Sequence, residues 1–154
     1  MRSHSRDRAS GGVLEPAVRY GSSRARSDFE GFVELYRLPY GRYARARLDD
    51  VAAAAEAVAW TFGYVEAGWD TVLGCPEPAA VCWALLRDAV SRCSASGGRS
   101  VDWLHAVLPA TSADVVVLRC RLGFDPSTAA RLMGVSAGVV EVELRAALRI
   151  LARA

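Results

Sequence analysis

The residues near the C-terminus that could take part in recognition are arginines rather than catalytic groups. Arg145, Arg149 and Arg153 recur every four residues, and Arg131 lies earlier in the chain. A four-residue spacing places side chains on one side of an α-helix, and guanidinium groups form charge-assisted hydrogen bonds with phosphate oxygens. The pattern therefore indicates a helix that can contact a polyanion. The sequence has no Ser/His/Asp grouping and no glycine-rich phosphate loop after a strand, so we expect no enzymatic activity.

The elements that must position these arginines are two predicted helices separated by a tight turn. Asp125 is a candidate N-cap for a helix at 126–133, and Gly134 should end that helix. Ser136 is then a candidate N-cap for the final helix. One apolar stripe runs along that final helix, through Val140, Leu144, Ala147, Leu148 and Leu151. A short helix, a turn and a longer helix predict a helix-turn-helix module.

Upstream of this module, apolar residues repeat at intervals of three and four. These repeats predict helices at 28–48, 50–69, 78–93 and 114–122, with a short helix at 101–108. Pro39 lies inside the first pattern and should kink or interrupt that helix. Since no convincing run of alternating apolar and polar residues occurs, we predict an all-α fold built from two small helical modules.

The predicted domain boundaries follow composition. Residues 1–27, rich in arginine, serine and glycine, are predicted to be a disordered basic tail. Residues 28–94 form the first helical module, and residues 109–154 form the second. A linker and a short helix occupy residues 95–108, because the run from Ser94 to Arg99 is rich in serine and glycine.

Charge is unevenly distributed along the 154 residues, although the formal net charge is only +2. Residues 1–27 hold six arginines and two acidic residues, and residues 109–154 hold six arginines and four acidic residues. Residues 28–108 instead hold seven arginines and eleven acidic residues. Basic segments favour contact with nucleic acid, whereas the acidic middle favours contact with a protein.

The cysteines and histidines do not have the spacing of a zinc site, so we expect none. Four cysteines and two histidines occur without a C-x-x-C motif, so we expect reduced thiols and neither metal nor other cofactor. The N-terminus has no apolar signal-like region, and no apolar run approaches the length of a membrane span. We therefore expect a cytoplasmic protein.

The order of short motifs resembles that of sigma-70 family factors, most closely the small two-domain extracytoplasmic-function type. In the C-terminal module the matching stretches are Leu108-Pro109, Val115–Arg119, Gly123-Phe124, Ala129-Ala130, Met133–Ser136, Gly138–Val140 and Leu144–Ala147. In the N-terminal module they are Phe29–Tyr36, Glu56–Phe62 with Trp69-Asp70, and Trp83–Arg92. The resemblance covers residues 28–154 and identifies 28–94 as similar to sigma region 2 and 109–154 as similar to sigma region 4.

This resemblance implies core RNA polymerase and promoter DNA as partners, with an anti-sigma factor or another regulatory protein as a further candidate. It assigns DNA contact to Arg131, Ser136, Val139, Glu141, Val142, Glu143, Arg145 and Arg149. It assigns polymerase binding to Glu56, Ala59 and Trp60. It assigns contact with the promoter −10 element to Trp83, Arg87 and Arg92.

Several of these positions depart from the motifs of the family. Ala59 and Trp60 occupy positions that are usually a glutamine and an acid, so the polymerase-facing surface is more apolar. Glu141 and Glu143 occupy positions that are usually basic or hydroxylic, and carboxylates repel phosphates. Glutamate can nevertheless accept a hydrogen bond from cytosine, and Glu141 is also spaced to pair with Arg145 along the helix.

Three functions remain open from the sequence. The first is a sigma-70-like transcription initiation factor that binds core RNA polymerase and promoter DNA. The second is a degenerate sigma-like protein that regulates through protein contacts and does not open promoters. The third is a helix-turn-helix regulator of another family, in which the N-terminal helices would serve dimerisation or ligand binding.

Overall fold

The computed structural model describes residues 16–96 and 102–154. Within these ranges the chain forms eight α-helices, one π-helical segment and no β-strand. The α-helices are α1 (Pro16–Arg47), α2 (Val51–Ala67), α3 (Trp69–Leu73), α4 (Pro78–Ala95), α5 (Leu104–Val107), α6 (Ala110–Val116), α7 (Pro126–Met133) and α8 (Ala137–Leu151). The π-helical segment, Val117–Arg121, continues directly from α6. The predicted all-α fold class is confirmed.

Helix α1 is longer than the sequence pattern predicted. It begins at Pro16 and so includes residues 16–27, which composition assigned to a disordered tail, and residues 1–15 lie outside the described part of the chain. Arginine and alanine are good helix formers, and extending an existing helix requires no new nucleation. Pro39 lies inside α1 without interrupting it. Buried Tyr36, Tyr40 and Tyr43 anchor the helix on both sides of the proline.

Side-chain hydrogen bonds cap three helices, and two of these caps, Asp125 and Ser136, are the predicted ones. The carboxylate of Asp50 accepts from the backbone N–H of Ala52 at 2.8 Å, which starts α2. The carboxylate of Asp125 accepts from the N–H of Thr128 at 2.8 Å and starts α7. The hydroxyl of Ser136 accepts from the N–H of Val139 at 3.2 Å and starts α8. These bonds satisfy donors that have no partner within the helix.

Other boundaries shift by a few residues. Helix α2 ends at Ala67 and Gly68 separates it from α3, so Trp69 starts a separate short helix. Helix α6 begins at Ala110, after Pro109, rather than at Asp114. The predicted linker is partly helical, because α4 continues to Ala95, and residues 97–101 lie outside the described ranges.

The core continues from the N-terminal helices into the C-terminal ones. Helices α1, α2 and α4 enclose an aromatic cluster, and α6, α7 and α8 enclose aliphatic side chains that belong to the same buried cluster. Helix α4 packs on α7, where Gly134 ends α7 with a φ of 66°. A Cβ added to Gly134 would lie 2.2 Å from the backbone nitrogen of Ala80, so only glycine permits this approach. The division into modules at 28–94 and 109–154 stays a prediction, and the structure shows the two segments packed together.

Candidate nucleic-acid interface

The exposed face of α8 carries valines in its first half and arginines in its second half. Val139 and Val142 are 40% and 57% exposed. Arg145 and Arg149 are also exposed, roughly one and two turns after Val142. The opposite face packs on α6 and α7 through Val140 and Ala147, which are fully buried. The helix-turn-helix therefore presents an accessible outer face with separate apolar and basic halves.

The two glutamates of α8 each lie near a polar group of a neighbouring element, although the Glu141 side chain remains 43% exposed. The hydroxyl of buried Ser112, on α6, donates to the Glu143 carboxylate at 2.5 Å. A carboxylate oxygen of Glu141 lies 3.9 Å from a guanidinium nitrogen of Arg119. The predicted ion pair between Glu141 and Arg145 is not formed, because the Arg145 guanidinium instead donates to the backbone carbonyl of Glu141 at 3.3 Å. Glu143 is thus held by Ser112, whereas Glu141 lies partly exposed beside Arg119.

The remaining DNA-contact candidates have different surroundings. Ser136 is exposed, but its hydroxyl is used as the N-cap of α8. Arg131 is exposed on α7 and close enough to α1 to act electrostatically on Tyr36. Burial raises the pKa of Tyr36, and the positive charge of Arg131 counteracts part of that rise. Arg131 therefore lies close to where residues 28–94 and residues 109–154 meet.

Two of the three candidates for −10 contact are bound to a buried carboxylate, and the third forms an exposed ion pair on α4. Trp83 is only 3% exposed, and its indole N–H donates to the Asp114 carboxylate at 3.0 Å. The Arg87 guanidinium forms an ion pair with the same carboxylate at 2.9 Å. Arg92 forms an ion pair with Asp88 at 2.5 Å. A −10 contact through Trp83 would require this side chain to leave its buried position.

Asp114 is the centre of a buried polar cluster that the sequence analysis missed. This aspartate is fully buried on α6, and besides Trp83 and Arg87 it accepts a hydrogen bond from the Tyr43 hydroxyl at 2.6 Å. Its carboxylate also lies 2.7 Å from Nε2 of His105. The donors come from α1, α4 and α5, so one carboxylate joins both segments of the chain. We call Tyr43, Arg47, Trp83, Arg87, Asp102, His105 and Asp114 the Asp114 cluster.

A second carboxylate completes the cluster on the other side of the histidine. Asp102 contacts Nδ1 of His105 and lies 3.1 Å from Nε of Arg47. Burial alone would lower the pKa of His105, but hydrogen bonds to Asp102 and Asp114 raise it. Burial alone would raise the pKa of Asp102, but the contacts with His105 and Arg47 lower it. The cluster therefore favours a protonated imidazole between two carboxylates.

The polymerase-binding candidates lie on the exposed side of α2. Glu56 and Ala59 are exposed, and Trp60 is 36% exposed. The Trp60 ring stacks on Tyr64 with 5.2 Å between centroids, and the Arg92 guanidinium lies 4.0 Å from the centroid of the Trp60 ring. Tryptophan, tyrosine and arginine are the side chains that most often dominate protein interfaces. This stack can therefore anchor a partner protein.

An open groove of about 1250 Å³ lies on another side of α2, between α2 and α1. The residues that line it include Phe29, Val58, Ala59, Phe62 and exposed Leu38. Ala59 faces this groove, whereas Glu56 and Trp60 line a smaller cavity between α2 and α4. The three predicted polymerase-binding residues are therefore divided between two neighbouring surfaces.

Within the described residues, no group of three or more His, Cys, Asp or Glu side chains could hold a metal ion. The four cysteines are free thiols, and Cys82 is buried. Burial raises the pKa of the Cys82 thiol to about 11. Across residues 16–96 and 102–154, the helices lack the combination of length and hydropathy needed to cross a membrane.

Comparison with known proteins gives one structural likeness. The chain matches no family model and none of the curated proteins that were compared with it. Among solved structures, it is similar to a chain of the RsbN–BldN complex at 24% sequence identity and a TM-score of 0.40. The match covers 90% of this chain and 99% of that chain. A likeness this weak assigns no function to this chain.

Proposed function

We propose that this protein is a sigma-70-like transcription factor that contacts duplex DNA through α8. The observation that carries the proposal is the exposed face of α8, which belongs to a capped helix-turn-helix. Arg145 and Arg149 are exposed and available for phosphate contacts, while Glu143 is hydrogen-bonded by Ser112 and partly exposed Glu141 lies 3.9 Å from Arg119. The repulsion expected between these carboxylates and phosphates is therefore reduced. Phosphate contacts position a protein on DNA, and base contacts specify the sequence.

A titration of labelled duplex at two salt concentrations tests DNA binding. Replacing Arg145 and Arg149 with alanine should weaken binding and reduce the slope of log affinity against log salt by about 0.9 for each phosphate that the variant no longer neutralises. Arg37→Ala with Arg45→Ala is the matched control, because both arginines are exposed on α1 and their removal lowers the net charge by the same two units. An equal effect of the α1 control and the α8 variant would show that the DNA contact is not on α8.

The same proposal includes core RNA polymerase as a partner of α2, because exposed Trp60 offers an aromatic anchor. Trp60→Ala should reduce co-purification with core polymerase and change the thermal midpoint little, since the ring packs on exposed Tyr64 and Arg92. Val107→Ala, which shortens an exposed side chain on α5, is the control. A collapse of stability in Trp60→Ala would instead assign Trp60 to the core.

A second candidate function is regulation through protein contacts without promoter opening. The observation that favours it is the engagement of Trp83 and Arg87 by buried Asp114. In this arrangement Trp83 is buried, and the Arg87 guanidinium is paired with Asp114 although its side chain is 30% exposed, so neither is free to contact DNA as it stands. An in vitro transcription assay with core polymerase separates the two functions. Polymerase binding without open-complex formation would favour the second function, and promoter-dependent transcripts would favour the first.

A further inference from the structure

We propose that Val139 and Val142 recognise the C5-methyl groups of thymines in a DNA major groove. This inference depends on the proposed contact between α8 and duplex DNA, and it specifies which bases that contact favours. The two valines are 40% and 57% exposed and lie in the first two turns of α8. Because they are three residues apart, their side chains lie on the same side of the helix.

The position of the valines along α8 matches the part of a recognition helix that meets base edges. In helix-turn-helix proteins, the N-terminal residues of the second helix contact the bases. Val139 is the third residue of α8, and Val142 is the sixth. Arg149 follows Val142 by seven residues, or about 10 Å along the helix axis. This spacing allows the valines to lie against bases while the arginines contact the phosphate backbone.

The surrounding side chains leave the two valines as the principal base-facing groups in this half of α8. Glu143 accepts the hydrogen bond from Ser112, and Glu141 lies on the Arg119 side. Ser136 is occupied by the N-cap bond, and Gly138 has no side chain. Apolar groups cannot form hydrogen bonds with base edges. Among the major-groove edges of the four bases, only thymine presents a methyl group to such a side chain.

Two short duplexes that differ only in the methyl groups provide the direct test. One contains alternating A·T pairs closed by G·C pairs, and the other contains deoxyuridine in place of every thymidine. Each buried methyl group should strengthen binding by roughly fourfold. We expect the full-length protein to prefer the thymidine duplex by about fourfold to sixteenfold at low salt. A second pair of duplexes, with and without 5-methylcytosine, should show a preference in the same direction.

Variants then assign the preference to particular residues. Val139→Ala with Val142→Ala should bring the thymidine-to-deoxyuridine affinity ratio close to one while keeping the salt dependence. Leu148→Ala is the matched control, because Leu148 is an exposed apolar residue on the same helix but on the side away from Val139. The far-UV spectrum and thermal midpoint of each variant check that it is folded.

The outcomes distinguish this inference from the proposed function. Duplex binding with equal affinity for thymidine and deoxyuridine would overturn the inference and leave the DNA contact standing. A methyl preference that persists in the double valine variant, or that is lost in Leu148→Ala, would overturn the assignment to Val139 and Val142. Failure to bind any duplex at low salt would overturn both proposals and would favour a protein partner for α8.

Discussion

Replacing Asp114 with asparagine should destabilise the whole protein. The side chain keeps its shape, but the negative charge is lost and one acceptor oxygen becomes an NH₂ donor. In the native structure the carboxylate lies 2.6 Å from the Tyr43 hydroxyl, 2.7 Å from His105 Nε2, 2.9 Å from Arg87 Nε and 3.0 Å from Trp83 Nε1. All four groups act as donors when His105 is protonated, so an amide NH₂ would face at least one of them without an acceptor.

The expected loss is large because Asp114 is fully buried. Removing one partner of a buried ion pair typically costs about 3–5 kcal/mol, since the other charge remains without compensation. Arg87 retains partial access to solvent, with its side chain 30% exposed, which places the expected loss toward the lower value. A domain of ordinary stability has about 5–15 kcal/mol in total, so Asp114→Asn would lose a substantial fraction.

Urea unfolding of the wild type and the variant measures this loss through the shift in midpoint at unchanged slope. Asp88→Asn is the matched control, because the pair between Asp88 and Arg92 lies on α4 with both side chains more than half exposed. Exposed pairs contribute about 0–1 kcal/mol. If Asp114→Asn and Asp88→Asn cost the same, the Asp114 cluster does not contribute to folding as we reason.

The remaining predictions concern pH and close packing. Asp102 and Asp114 raise the pKa of His105 in the folded protein. The protonated imidazole therefore stabilises the fold fully below the unfolded-state pKa of about 6.5, and this stabilisation is lost as the pH rises through the folded-state pKa. Urea midpoints measured across this pH range should therefore fall with increasing pH, and His105→Gln should flatten that pH dependence. If the midpoint of His105→Gln falls with pH as steeply as that of the wild type, His105 is not the group responsible. Gly134→Ala should cost more than Gly123→Ala, because both glycines have positive φ but only Gly134 faces the backbone of Ala80. The strain of positive φ alone is about 1 kcal/mol. If the thermal midpoints of the two variants fall equally, then α4 moves away from the added methyl group with no further loss of stability.

Local signals in the sequence determined the helices of the C-terminal module. Asp125, Gly134 and Ser136 are where the sequence predicted them to act, because a cap forms hydrogen bonds within three residues of itself or requires one local conformation. The apolar stripe likewise predicted that Val140 and Ala147 face the core, but it also included Leu148, which is 50% exposed. These features depend only on the spacing of residues along one helix, so the sequence alone is enough to predict them.

Boundaries that depend on packing were less predictable. The sequence pattern suggested that Pro39 would disturb α1, yet the helix continues because Tyr36, Tyr40 and Tyr43 are buried on both sides of it. The N-terminal extension of α1 from Pro16 also escaped the apolar pattern, since that stretch has no clear apolar stripe. Helical periodicity detects a buried face, and it does not detect a helix without one.

The Asp114 cluster was decided by tertiary structure alone. The one signal in the sequence was an acidic residue between Ala113 and Val115 in an apolar run, and its partners could not be identified from that position. Tyr43 and Trp83 are 71 and 31 residues away along the chain. The same is true of Glu143, whose bond to Ser112 also spans 31 residues and removes the carboxylate from the exposed face. Sequence spacing specifies which side chains share a helix face, whereas the packing of one helix on another determines which of them remain available for a partner.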